Sequence, residues 1–179
     1  DLRTAVHGGG HSLSGQSVCD GGLMIDLAPM RGVEVNSKRR LARAQGGVLL
    51  GEVDRQTQAV GLATTMGTAT DTGIAGLTLG GGMGRLMRLY GLACDNLQSV
   101  ELVTADGRLR HLDAHEDPEL FWGVRGGGGG LGVVTRFSCR LHPVGTVNAG
   151  ERFYRVDAAR ALLRAFRDFT PDAADALTA

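Results

Sequence analysis

Near its start the chain reads Val6-His7-Gly8-Gly9-Gly10-His11-Ser12, two imidazoles and a hydroxyl around a run of glycines. Glycine admits positive φ and leaves no Cβ between backbone and ligand. Successive N–H groups in such a loop form a concavity that accepts phosphate oxygens, and a diphosphate is its natural guest. A histidine beside these glycines is presented without shielding neighbours, and a neutral imidazole is a competent nucleophile toward an electron-poor carbon. Read alone, a histidine in this place is more often an exposed or hydrogen-bonded loop residue. His7 and His11 also share H-x3-H spacing, but a glycine loop does not fix ligand geometry and no third ligand is evident, so no metal site is expected.

Three more glycine clusters follow: Gly46-Gly47, Gly73 to Gly84, and Gly126 to Gly130 with Gly132. Any one of them alone is a tight turn packed on a core. Four in one short domain shift the balance toward a ligand. Two familiar anion loops are excluded by context. A G-x-G-x-x-G match at Gly127, Gly129 and Gly132 is followed by the strand-like Val133-Val134-Thr135 rather than by a helix, so it is not a Rossmann turn. No glycine run is followed by Lys-Ser or Lys-Thr, which rules out a Walker loop.

The segments between the clusters must position these loops. Leu2 to Val6 and Leu23 to Leu27 are strand-like, and Val33 to Val35 with Arg40 to Ala44 reads as a hairpin. Leu49 to Val60 places Leu49, Leu50, Val53, Thr57 and Val60 on one helical face, with Gly61 as its left-handed cap. Ser99 to Thr104 and Arg108 to Leu112 form a second hairpin through Asp106-Gly107. Asp117 caps a short helix begun by Pro118. Val133, Thr135, Phe137, Cys139 and Leu141 alternate with polar residues as a half-buried strand, inward side chains first. Past Pro143-Val144-Gly145 the composition changes. Arg152 to Val156 resembles a strand, and Asp157 to Phe169 is an amphipathic helix, capped by Asp157, with Ala158, Ala161, Leu162, Ala165, Phe166 and Phe169 inward. One strand and one helix cannot bury their own apolar faces, so they read as the opening of a second domain. Strands dominate and helices are short: the fold class is α+β.

Composition bounds the rest. The 179 residues include 29 glycines, about 16% against a usual ~7%, and only 4 prolines, which excludes collagen and Pro-rich disorder. Nineteen basic residues balance nineteen acidic ones, so no net field recruits nucleic acid or an anionic membrane surface. Lys38 is the only lysine, which leaves little room for lysine chemistry. Cys19, Cys94 and Cys139 are odd in number and widely spaced, and read as buried small hydrophobes rather than a disulfide or zinc framework. His111, His115 and His142 read as surface residues, and the Arg39-Arg40 and Arg152-Arg155 charges as solvated ones. No apolar run reaches the ~20 residues that span a bilayer. The sequence opens at Asp1 on a strand, so the expectation is a fold entered after its first strands, with a cytoplasmic location favoured and any leader lying upstream.

Four segments together carry a specific resemblance. Val6 to Gly15 resembles the first FAD-binding loop of the berberine bridge enzyme-like oxidases, within the p-cresol methylhydroxylase (PCMH) and vanillyl-alcohol oxidase superfamily. Gly67-Thr68-Ala69-Thr70-Asp71-Thr72-Gly73-Ile74-Ala75-Gly76-Leu77-Thr78-Leu79-Gly80-Gly81-Gly82-Met83-Gly84 matches the second. Tyr90 to Asn96 and Leu120 to Gly129 follow in order, and Gly132 to Thr135 gives the family's Gly-Val-Val-Thr.

The resemblance implies a PCMH-type FAD-binding domain of two α+β subdomains over residues 1–145, with FAD held between them. Residues 146–179 would then begin an incomplete substrate domain built on an antiparallel sheet. Gly8, Gly9, Gly10 and Ser12 would hold the diphosphate, and His11 would be bonded covalently to the flavin 8α-methyl carbon. Gly67, Thr68, Thr72, Gly73, Gly76, Leu77, Gly81 and Gly82 would line the cofactor, and the Val133-Val134 backbone would meet the adenosine portion. Ala69 stands where doubly linked members carry cysteine, so a single covalent bond is expected, and Cys94 is not a linking thiol. His7 stands where arginine is common, and Gly129-Gly130-Leu131-Gly132 replaces Gly-Asn-Phe-Gly.

The implied reaction is hydride transfer from an alcohol, sugar or phenolic small molecule to flavin N5, with dioxygen as acceptor. The family's catalytic base is a substrate-domain tyrosine. Tyr90 and Tyr154 do not match it, so no catalytic residue is assigned. A flavin-binding module without turnover, and a glycine-rich domain without a cofactor, remain as alternatives. Neither substrate nor oligomeric state is specified.

Overall fold

A computed structural model describes residues 2–178. β1 (Thr4–His7) and β2 (Leu23–Asp26) pair in parallel, from Thr4 opposite Leu23 to His7 opposite Asp26. β3 (Val33–Asn36) and β4 (Leu41–Gln45) make the expected hairpin, followed by α1 (Leu50–Gln58) and β5 (Leu62–Ala63). α2 (Ile74–Leu79) and the one-turn α3 (Met87–Tyr90) come next. β6 (Leu97–Val103) and β7 (Leu109–Asp113) form the second hairpin, closed by Gly107 at φ +75°. α4 (Pro118–Val124), β8 (Val133–Arg140), β9 (His142–Pro143) and α5 (Ala159–Phe169) complete the order.

Five strands form one antiparallel sheet in the order β3-β4-β8-β6-β7, with β8 at its centre. One face carries the core: Ala44, Val100, Leu102, Leu112, Val134 and Phe137 pack with Leu50 and Val53 of α1, Ile74 and Leu79 of α2, and Phe121 and Val124 of α4. The parallel β1-β2 pair is a separate two-stranded sheet. Gly61, at φ +70°, ends α1 as expected, and the Leu49 N–H donates to Glu52 Oε2 at 2.8 Å at its start. The buried helical stripe is Leu50, Val53 and Thr57; Val60 lies beyond the helix and is 46% exposed.

Several local expectations are corrected. In β8 the inward positions begin at Val134 rather than Val133, because pairing with β6 passes from Glu101–Arg136 to Leu102–Val134 and skips Thr135. Such a bulge reverses the phase of the alternation. Asp117 does not cap α4: it sits at φ +50° and its carboxylate lies 3.3 Å from Arg110. Arg152 to Val156 forms no strand, since no partner strand lies beside it. α5 begins at Ala159, and Asp157 turns to Arg155 at 3.2 Å instead of capping. None of its residues is buried, so the face expected inward is uncovered among the described residues. Cys94 and Cys139 are buried, but Cys19 is only partly so.

Candidate functional site

β1 delivers the first glycine loop directly from its last residue, His7, whose carbonyl accepts the Leu27 N–H at 2.8 Å. Beyond it the N–H groups of Gly8, Gly9, Gly10, His11 and Ser12 donate to no acceptor among the described residues. Gly10 turns the loop at φ +73°. A run of unpaired amides bent through a left-handed residue has the form of the concavity expected of this glycine loop. Gly10, His11 and Ser12 are exposed and Gly8 and Gly9 half-buried, so these amides are open to solvent rather than sealed in the core.

The second loop braces the first. Gly9 and Gly73 meet backbone to backbone, and a Cβ on either would overlap main-chain atoms of the other. A Cβ on Gly8 would lie 3.6 Å from the Gly46 carbonyl oxygen, so the second glycine cluster closes the other flank. Residues 70–74 run antiparallel to 48–51: Leu50 N–H donates to Thr72 O, Gly51 N–H to Thr70 O and Ile74 N–H to Val48 O, each at 2.9 Å. This pairing ties the loop to the start of α1. Leu77 is wedged between Gly67 and Gly82, where added Cβ atoms would approach it at 2.5 Å and 2.8 Å, so it spaces the loops. Gly76 instead opens on free space, with nothing within 4 Å of its Cβ position. Thr68 is exposed and Thr72 half-buried beside it, while Gly81 is buried. Close by in sequence, the buried Thr64, Thr65 and Thr78 hydroxyls have no partner.

Two carboxylates that the motif reading passed over meet the loop histidines. Asp26 Oδ1 lies 3.0 Å from His7 Nδ1. The Ala28 N–H and then His7 hold the Asp26 carboxyl below the usual carboxylate range. Asp71 Oδ1 lies 3.4 Å from His11 Nε2. Each histidine thus turns to its own carboxylate on a different segment. Asp71 lies within the second glycine loop, two residues before Gly73, as His11 lies two after Gly9.

The remaining clusters interlock behind these loops. Gly81 and Gly82 carbonyls accept the Cys94 and Ala93 N–H groups at 2.9 Å, and the Gly128 N–H donates to Leu79 O at 2.8 Å. Asn96 donates to the Tyr90 and Leu92 carbonyls at 2.9 Å and 2.8 Å, which shapes the 90–96 turn. His142, expected at the surface, is corrected: its Nε2 lies 2.7 Å from Asn96 Oδ1 and its ring stacks on Tyr90 at 3.9 Å. Partial burial, then Arg140 and Arg40, push its pKa down. Arg125 donates to Cys94 O at 3.1 Å and lies over the Phe121 ring. Val133 and Val134 start β8 as expected; a Cβ on Gly46 would lie 2.7 Å from the Val134 carbonyl oxygen, so this strand abuts the glycine cluster nearest the first loop. No helix among the described residues is long and apolar enough to cross a membrane.

Comparison with known proteins identifies the family. A family model for an FAD binding domain matches residues 1–113. The chain is 42% identical over 157 residues to the FAD-linked oxidoreductase pgmH of Aspergillus terreus, covering 88% of this chain and 32% of that protein. The crystal structure of 6-hydroxy-D-nicotine oxidase from Arthrobacter nicotinovorans superposes with a TM-score of 0.78 at 39% identity, over 79% of this chain and 31% of that one. A chitooligosaccharide oxidase superposes with a TM-score of 0.75 at 31% identity, again over 79% of this chain and 31% of the other. The chain therefore spans roughly a third of the length of such relatives. With its glycine loops, its sheet and more than half its length matching, the chain belongs to the FAD-binding domain family of the FAD-linked oxidoreductases, the PCMH-type group.

Proposed function

We propose that this chain is the cofactor-binding part of an FAD-dependent oxidase, with residues 1–145 as the FAD-binding domain and 146–179 as the opening of a substrate domain. The observation that carries the reading is the run of unpaired amides from Gly8 to Ser12, with His11 at its edge and Gly73 behind it. The donors suit a diphosphate: they are main-chain N–H groups in a bent loop, without a carboxylate bonded to them. The open space over Gly76 leaves room beside them.

In this reading Gly8, Gly9, Gly10 and Ser12 hold the diphosphate, the 67–82 loop lines the cofactor and Val133-Val134 meets its adenosine end. His11 makes the single covalent bond to the 8α-methyl carbon, and Ala69 offers no second thiol. When bound, FAD would accept hydride at N5 from an alcohol, sugar or phenolic C–H bond and pass the electrons to dioxygen. Alkylation at that carbon makes the ring more electron-poor, which favours less activated substrates. The name of the chitooligosaccharide oxidase supports a sugar among these classes.

The test has two parts. Purified protein should be yellow, bleach when substrate is added without oxygen, and recover its colour in air as hydrogen peroxide appears. Retained colour under every sugar, alcohol and phenol tried would leave a flavin-binding module without turnover. Acid precipitation should leave flavin in the protein pellet, and His11→Ala should move it to the supernatant.

A further inference from the structure

We infer that Asp71 is a positioning residue for cofactor attachment, holding the His11 imidazole with its proton on Nε2 so that Nδ1 carries the lone pair that makes the bond. The inference rests on the proposed attachment at His11.

The placement follows from backbone before it follows from side chains. Gly9 and Gly73 touch where the two loops cross, and neither tolerates a Cβ there. One loop runs two residues on to His11, and the other reaches back two residues to Asp71. The crossing therefore brings these two side chains together, and Nε2 and Oδ1 stand 3.4 Å apart. Neither has another ion-pair partner among the described residues. His11 is 44% and Asp71 73% exposed, so the pair adds little stability; exposed ion pairs contribute about 0–1 kcal/mol. A carboxylate that closes on one ring nitrogen chooses a tautomer. The nitrogen that faces it keeps the proton, and the other keeps its lone pair.

The other histidine of the loop serves as an internal contrast. In His7 the carboxylate of Asp26 takes Nδ1, and Nε2 points at the loop, 3.1 Å from where a Cβ on Gly10 would sit. That ring is a brace beneath Gly10. In His11 the carboxylate faces Nε2 at 3.4 Å, and Nδ1 has no partner among the described residues.

The step balances through the same pair. As Nδ1 bonds to the 8α carbon, His11 would become a cation unless Nε2 releases its proton, and Asp71 is placed to receive it. One hydrogen of the methyl group leaves as a second proton. The two electrons of that C–H bond pass into the cofactor and on to dioxygen, giving hydrogen peroxide.

The test uses acid-stable flavin in the whole protein and the linkage isomer in the excised flavopeptide, read by NMR. In the wild type the bond should lie at Nδ1. Asp71→Ala should slow the appearance of acid-stable flavin on the order of tenfold to a hundredfold, the range seen when a histidine ligand loses its outer carboxylate. It should also admit some Nε2-linked product, with an unchanged melting temperature, and Asp71→Glu should restore most of the rate. A wild-type bond at Nε2, or an Asp71→Ala protein that matches the wild type in rate and isomer while His11→Ala holds no acid-stable flavin, overturns the role of Asp71 and leaves the attachment standing. A wild-type protein that releases all its flavin in acid removes the attachment and this inference together.

Discussion

Residues 4–143 and residues 150–178 answer the same amphipathic signal in opposite ways. In the first region the apolar stripes foreseen from periodicity are largely covered, with Phe137 0% exposed and Leu50, Val53 and Leu141 each 1%, although Val60 is left at 46%. In the second, α5 has an equally clear stripe, yet Phe166 is 45% and Phe169 55% exposed, and the preceding Phe153 is 88% exposed. What holds residues 173–178 in place is polar. Arg88 of α3 donates to the Ala173 and Leu177 carbonyls at 2.8 Å and 3.0 Å, and the Thr178 hydroxyl donates to Arg85 O at 2.8 Å. Periodicity says which face of an element is apolar; whether that face is buried depends on a partner that the element does not itself contain.

The difference is broken most directly at Phe137. It sits at the centre of β8, with Ala44 and Val100 opposite it on the flanking strands. Phe137→Ala should cost about 3–5 kcal/mol through lost burial and a residual cavity, seen as a lower denaturant midpoint at unchanged slope. A loss under about 1 kcal/mol would mean that the sheet face is not the core it is taken to be.

The glycine loops set up a finer contrast within the first region. Gly73→Ala places its Cβ on the Gly9 backbone, and main chain cannot swing aside as a side-chain end can. Gly129 faces open space at ordinary φ. Gly73→Ala should therefore cost about 1–3 kcal/mol and reduce bound flavin, whereas Gly129→Ala should leave melting temperature and flavin content unchanged. Equal behaviour of the two would refute the backbone contact between the first two loops.

Much of the fold was legible because its signals are local. The hairpins at 33–44 and 99–112 follow from strand alternation and Asp106-Gly107, and Gly61 marks the end of α1. The misreadings are non-local. The bulge at Thr135 is set by pairing with β6, the Asp117 carboxylate turns to Arg110 rather than capping, and Asn96 draws in His142, 46 residues away. The same holds for the site. Its glycine loops could be read one by one, but Asp26 and Asp71 became visible only when the pairing of β1 with β2 and the crossing of Gly9 with Gly73 put them beside the histidines.

The smallest effect is expected where the comparison began. Phe166 has the volume and apolarity of Phe137 but nearly half its surface in water, and α5 contributes no residue to the core. If the uncovered face is a property of this part of the chain, Phe166→Ser in residues 1–179 removes little buried area. The change in stability should then stay within about 0.5 kcal/mol, as for an ordinary surface position. The same substitution in a longer chain is the sharper measurement. If a substrate domain folds over α5, burial of that ring restores the transfer and cavity terms that Phe137 already shows, and Phe166→Ser should then cost several times more. An equally silent substitution in both contexts would mean that the stripe on α5 faces solvent throughout, and that its partner is not the remainder of the protein.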